Sequence, residues 1–271
     1  MKLALRLPPD WLLYGAVVAL MLIYAYRGQD HPVAPAPPSP ELGPILPSES
    51  PRDPRILVDV AAPSSGVGTA FASTADGEWL TARHVVDSCD TIGVKIGDRR
   101  LIRVSESTLY ENADLATLKT EWTRTPLPTD LNSQRKVGET GYFFGFPQGR
   151  PGEVVGRLLS RGRMEVRGRY RSDEPVLIWT EIARTRGLRG SLGGLSGSPV
   201  LDADGEVVGL VTAESPRRGR VYTVAPRQLS QIIGQDSEAA SPISYDDFAV
   251  QADRLRRDRR IAQIVCINKD S

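Results

Sequence analysis

Three pairs of short β-rich runs, each joined at a turn of aspartate and glycine, constrain this chain more than any other feature. GVGTAFAST and EWLTARHVV flank Ala75-Asp76-Gly77, TIGVKI and RRLIRVSE flank Gly97-Asp98, and SPVLD and EVVGLVTA flank Ala203-Asp204-Gly205. Such steps accept the backbone conformation of a tight reversal, so the runs fold as hairpins. Further strand-like runs are ADLATLKT, ETGYFFGF, EVVGRLLS, RMEVRGRY, PVLIWTEI and RVYTVAP. Roughly a dozen strands between Ile56 and Gln235, with no long amphipathic helix among them, predict an all-β barrel or sandwich. RTPLPTDLNSQ, residues 124–134, lacks a strand pattern and reads as the join between two halves. A short helix near RQLSQII and a charged helix in YDDFAVQADRLRRDRR make residues 236–271 a short helical C-terminal extension.

The N-terminus has a different character. WLLYGAVVALMLIYAY, Trp11 to Tyr26, carries no charge, and Lys2 and Arg6 precede it. As a helix it covers about 24 Å of a ~30 Å hydrocarbon core. Tyr24, Tyr26 and Arg27 stand where signal cleavage needs small residues, which favours an uncleaved anchor over a cleaved signal peptide. Residues 1–27 are thus expected to be a cytoplasmic stub and transmembrane anchor, with the bulk exported. Nine prolines between Gly28 and Arg55 predict an extended tether over 28–55, too poor in apolar surface to order itself. After export, Cys89 and Cys266 either pair as a disulfide or remain two buried thiols.

Composition excludes several chemistries. A formal net charge of +1 gives no general case for nucleic-acid binding. Two histidines and no His-Glu-x-x-His leave no zinc pattern, so no metal or cofactor is expected. Because His31 lies in the proline-rich stretch, His84 in LTARHVVD is the single histidine of the folded region. Imidazole is the side chain suited to accept a hydroxyl proton near neutral pH. In GGLSGSPV, Ser196 sits in a glycine-rich turn that lets backbone N–H groups gather around its hydroxyl. In ENADLATLK, Asp114 heads an apolar run where an uncompensated carboxylate is costly, and an imidazole N–H removes that cost.

These pieces, in the order His, Asp, Ser, resemble the chymotrypsin-like (trypsin-like) serine proteases, with the bacterial HtrA and glutamyl-endopeptidase branches nearest in style. GTAFAST…GEWLTARHVV resembles the family's entry hairpin and histidine motif, ADLATLK its aspartate motif, and GLSGSPVLDADGEVVGL its serine motif. GYFFGFPQG resembles the opening of the second barrel. The resemblance covers residues 56–235 and implies two six-stranded β-barrels with the site between them. It implies that Ser196 attacks a peptide carbonyl, His84 transfers the proton and Asp114 orients His84. The N–H groups of Gly194 and Ser196 then form the oxyanion hole. Thr212 matches a serine that backs the aspartate, and Thr212, Ala213, Glu214 and Arg220 fall at substrate-binding positions.

The departures also matter. Leu195 stands where digestive enzymes carry an aspartate, so activation through a new N-terminus is not expected. Glu214 and Arg220 replace usual glycines of the specificity pocket, and the 36 residues after Gln235 leave no room for a PDZ domain. The implied function is a serine endopeptidase acting on protein or peptide substrates, held by one anchor in a bacterial inner membrane with its catalytic domain in the periplasm or outside. The alternative is a catalytically weak or inactive protease-fold module that binds peptides at the membrane, for which the substituted pocket speaks. A secreted α/β-hydrolase fails on chain order and on missing helices. Seven arginines against two glutamates in residues 150–171 read as a solvated barrel face.

Overall fold

The computed structural model describes Tyr14, Gly15 and residues 17–21, 41–97, 100–233 and 240–269. Most of the expected anchor and the first part of the tether lie outside the described residues. Among the described residues no helix is long and apolar enough to cross a membrane.

The expected hairpins form two sheets of seven strands each. The strands in chain order are β1 (Arg55–Val60), β2 (Gly66–Ala72), β3 (Glu78–Thr81), β4 (Thr91–Gly97), β5 (Arg100–Arg103), β6 (Glu106–Leu109) and β7 (Ala116–Lys119). The second half contributes β8 (Thr140–Gly145), β9 (Gly152–Gly168), β10 (Ser172–Arg184), β11 (Pro199–Leu201), β12 (Val207–Ser215) and β13 (Arg220–Val224). The helix Phe248–Arg257 and β14 (Ile261–Ile267) end the chain. EVVGRLLS and RMEVRGRY, two separate runs in the sequence, are one continuous strand, β9.

In the second half, β9-β10-β13-β12-β11-β8 close into a ring because β8 also pairs with β9. This is the expected six-stranded barrel, with β1 added in parallel along the far half of β9. Phe143 and Trp179, both buried, meet edge to face in its core beside Leu158 and Val200. The six-stranded barrel expected for the first half is corrected to a sheet of seven strands that runs from β5 to β6. Its order is β5-β4-β14-β2-β3-β7-β6, with the C-terminal strand inserted between β4 and β2. The helical C-terminal extension is therefore corrected to a helix followed by a core strand. IAQIVCI is rich in β-branched residues with no breaker; Ala262 and Ile264 are buried with Ala70, Trp79 and Val94, and Ile261 in the core that holds Phe71 and Leu80.

The stretch read as tether is also only partly that. Gly43 N–H donates to Val137 C=O, Ile45 bridges Lys136, and Leu46 is buried in the second core. One buried leucine between prolines, with main-chain hydrogen bonds to Arg135 and Val137, docks this segment on the barrel, which composition alone does not reveal.

Cys89 and Cys266, 177 positions apart in the sequence, are joined by a disulfide with Cα atoms 5.5 Å apart. Cys89 follows the helical turn Arg83–Val86, and Cys266 lies on β14. The bridge fixes the last strand to the turn that carries His84. Replacing both cysteines by serine should lower unfolding free energy by about 2–5 kcal/mol, as expected for a bridge closing a long loop. The urea midpoint measures this, and an unchanged midpoint means that the β14 ladder alone holds the C-terminus.

Candidate active site

His84 is carried out of β3 on the helical turn Arg83–Val86, and Asp114 precedes β7, the neighbour of β3. His84 Nδ1 lies 2.7 Å from Asp114 Oδ2, and the His84 backbone N–H donates to Asp114 Oδ1 at 2.9 Å. Asp114 is almost fully buried, whereas a quarter of the His84 side chain faces solvent. Two hydroxyls from the barrel also donate to the carboxylate: Tyr170 to Oδ1 at 2.6 Å, and Thr212 to Oδ2. Burial pushes the Asp114 carboxyl up, but the charge and hydrogen bond of His84, then the Thr212 and Tyr170 hydroxyls, hold it at about 2. Burial pulls His84 down, but the charge and hydrogen bond of Asp114 more than offset this, so its value is raised above the ordinary 6.5. An imidazole whose Nδ1 faces a carboxylate presents Nε2 as the proton acceptor.

The turn that carries Ser196 runs from Gly193 to Ser198. Gly194 has φ +95°, and a Cβ there would sit 2.5 Å from the Phe146 carbonyl oxygen, so only glycine fits. The first sheet grips this turn through Thr69, whose N–H donates to Ser196 C=O at 2.9 Å and whose hydroxyl donates to Gly194 C=O at 2.8 Å. The Gly193 carbonyl accepts from Gln148 N–H at 2.5 Å and is thereby kept from capping the turn itself. Among the described residues the N–H groups of Gly194 and Ser196 have no acceptor, so both donors of this turn are free. Ser196, Gly194, His84 and Asp114 line one cleft of about 410 Å³. Among the described residues the Ser196 hydroxyl makes no hydrogen bond, so the serine shares the cleft with His84 without being tied to it.

The four expected substrate-binding residues separate. Thr212 is buried and serves Asp114. Ala213 lines the cleft and packs with Met164, Val166 and Tyr170. Glu214 also lines the cleft, but its carboxylate accepts from Leu192 N–H at 2.8 Å and from the Ser191 hydroxyl at 2.5 Å. It braces the loop before the Ser196 turn. Arg220 is a correction: its guanidinium donates to Thr180 Oγ1 at 2.7 Å and to the Arg218 carbonyl, and it is absent from the cleft lining. With Glu214 already bracing its own loop, the arginine follows the β10–β13 ladder instead.

Several residues of the site escape sequence reasoning. Gln148, at φ +54°, donates its side-chain amide to the carbonyls of Arg189 and Ser191. Glu174 on β10 is fully buried and accepts from Asp114 N–H at 2.9 Å. The segment after β1, residues 61–64, forms one wall of the cleft. The only signal for Glu174 is a charged residue inside a strand pattern.

The family model described as a trypsin-like peptidase domain matches residues 68–210. The chain is similar to a probable periplasmic serine endoprotease, DegP-like, of Hahella chejuensis, 32% identical over 159 residues that cover 58% of this chain and 31% of that protein. It is 31% identical to the putative serine protease HhoB of Synechocystis sp. over 174 residues, 63% of this chain and 40% of the other. The chain thus spans about a third to two-fifths of the length of these curated relatives. Among solved structures, the active form of the Rv3671c protease from M. tuberculosis aligns with TM-score 0.51 and 15% identity, over 73% of this chain and 95% of that one, a likeness of fold.

Asp114 and Glu174 oppose each other in their pH dependence. The depressed Asp114 contributes stability that is present above 3.8 and lost as pH falls through about 2. Burial, then the Asp114 charge, raise Glu174 well above its ordinary 4.5, so its contribution is complete below 4.5 and fades as pH rises toward the raised value. Glu174→Gln keeps the acceptor for Asp114 N–H and removes the ionisation. The variant should match or exceed wild-type stability at pH 8, by on the order of 1 kcal/mol, and lose less between pH 5 and pH 8. Calorimetric melts across that range test this; a loss above roughly 2 kcal/mol at pH 8 contradicts it.

Proposed function

Since the chain belongs to the trypsin-like peptidase domain family, we propose that it is an exported serine endopeptidase that hydrolyses peptide bonds through Ser196, His84 and Asp114. What supports this above all is the shared cleft, where a buried carboxylate, an imidazole and a serine meet two free backbone N–H groups. Ser196 Oγ adds to the substrate carbonyl while His84 Nε2 takes its proton and Asp114 keeps the ring in the required tautomer. The oxyanion is received by the N–H groups of Gly194 and Ser196, each worth about 3 kcal/mol of transition-state stabilisation. The proton passes to the leaving amine, and water then releases the acyl group by the same steps in reverse. No step calls for a metal or cofactor.

The folded region works outside the cytoplasm on this reading. Its disulfide suits an oxidising compartment, and the Hahella relative is named periplasmic. Residues 1–27 would anchor it to the membrane and the following prolines would hold it off the surface, with protein or peptide as substrate. The trypsin-like domain over 56–235 would take its last strand from the C-terminal extension, 236–271.

A fluorophosphonate should label the wild-type chain at Ser196, and Ser196→Ala should abolish the adduct. Asp114→Asn should slow labelling by about 10⁴-fold through the wrong imidazole tautomer. Only neutral His84 accepts the serine proton, so the acid limb of the labelling rate should have its midpoint above 6.5, the raised side. Labelling that persists in Ser196→Ala, or is absent from wild type, removes the assignment and leaves a peptide-binding module.

A further inference from the structure

The tip of the β9–β10 hairpin, residues 169–171, belongs to the barrel yet touches the catalytic pair of the first sheet. β9 and β10 pair from Val154↔Arg184 to Val166↔Ser172, and β1 pairs along the last part of the same arm. A three-stranded ribbon is stiff in its plane, so its tip is held at a fixed place. We propose that Arg169 and Tyr170 at this tip are positioning residues that reach across the seam between the two halves and hold Asp114 and His84 in working geometry. This rests on the reading of His84, Asp114 and Ser196 given above.

Tyr170 acts on the carboxylate. Its side chain is nearly buried, its hydroxyl donates to Asp114 Oδ1 at 2.6 Å, and the Arg83 guanidinium covers its ring at 4.1 Å. With Oδ1 taken by Tyr170 and the His84 backbone N–H, rotation of the carboxylate is blocked and Oδ2 stays on His84 Nδ1. Arg169 acts on the histidine turn. One guanidinium nitrogen donates to His84 C=O at 2.9 Å and another to Asp87 C=O at 2.6 Å, bracketing the turn Arg83–Val86. Other arginines of this hairpin do what solvated arginines do: Arg163 pairs with Asp173 and Arg167 with Glu165. Among the described residues Arg169 has no carboxylate partner; main-chain carbonyls of the histidine turn take that place.

The charge of Arg169 also has a consequence. It lines the cleft beside the imidazole and opposes its protonation, against the larger pull of Asp114. The other charges near His84 are accounted for: Arg83 and Asp87 pair with each other, Glu174 accepts from Asp114 N–H, Glu214 is held by Ser191 and Leu192, and Asp59 lines the same cleft. The hairpin tip therefore fixes the orientation of the pair and limits how far its basicity rises.

The test uses the full chain with His31→Gln, which leaves His84 as its one histidine. Fluorophosphonate labelling gives the rate, and NMR titration of the His84 ring gives its midpoint without depending on catalysis. Tyr170→Phe keeps the packed ring and should slow labelling at pH 8 by roughly tenfold or more, the scale of one hydrogen bond to a charged group. Arg169→Met should move the His84 midpoint and the acid limb of labelling to higher pH, and Arg169→Lys should return both toward wild type. Wild-type rates in Tyr170→Phe, or a His84 midpoint unmoved in Arg169→Met, overturn the inference while leaving Ser196 as nucleophile. If wild type is not labelled but the midpoint shifts as expected, the nucleophile assignment fails and the positioning role stands.

Discussion

A carboxylate that has left water must find donors for its lone pairs, and in this protein that demand fixes how the two halves of the fold meet. Asp114 sits in an apolar environment where an unpaired charge would cost far more than the protein's margin of stability. Its donors come from both halves: the ring and backbone N–H of His84 from the first, the hydroxyls of Tyr170 and Thr212 from the second. Hydrogen bonds to a charged group contribute about 1.5–3 kcal/mol each, so a relative shift of the two halves that broke two of them would be severely destabilising. The pairing that tunes the imidazole is thus also a lock on the fold.

The lock is reciprocal. While the barrel satisfies the aspartate of the first sheet, that sheet holds the Ser196 turn of the barrel through Thr69. The same hydroxyl of Thr69 accepts from Phe146 N–H at 3.0 Å, so one β2 side chain ties the turn to the loop beneath it. That loop is tied again from β14, where the Gln263 side-chain amide donates to Gly149 C=O at 3.1 Å. The C-terminal strand therefore completes the first sheet and also supports the loop on which Gln148 holds the Gly193 carbonyl.

How much of this was legible in the sequence follows from which contacts are local. Hairpins announced by Asp-Gly and Gly-Asp turns appear as β2–β3, β4–β5 and β11–β12, because a turn and its flanking alternation are encoded within about twenty residues. Asp114 at the head of an apolar run signalled a compensated charge, since a lone carboxylate there would be intolerable. Tyr170 and Glu174 gave no such signal, because a tyrosine or glutamate in a strand is ordinary until the fold brings it to a carboxylate 56 or 60 residues away. The arginines of the β9–β10 hairpin illustrate the same limit. Alternation describes Arg163 and Arg167 correctly as surface residues, but it cannot separate Arg169, whose environment is set by the opposite half of the fold. β14 was missed for another reason: a β-rich run after a charged helix has no visible partner until the gap between β2 and β4 exists.

The long β9–β10 arm gathers these threads. Its barrel half closes the ring with β8, while its outer half carries β1 on one edge and the histidine clamp at its tip. After β1 the chain crosses from the barrel to β2 in the first sheet, and the crossing, residues 61–65, runs along the mouth of the cleft. Val58 and Val60 pack with Met164, Val166 and Ala213, so the part of the cleft lining built from the segment before β2 has an apolar side beside Asp59. Because β1 holds to the arm by a parallel ladder of six residues and Arg169 N–H donates to Val60 C=O, wall and clamp cannot move independently. The shape of the cleft and the setting of its imidazole are consequently governed by one ribbon, which explains why β9 extends to 17 residues, well beyond the six that face β8 in the barrel.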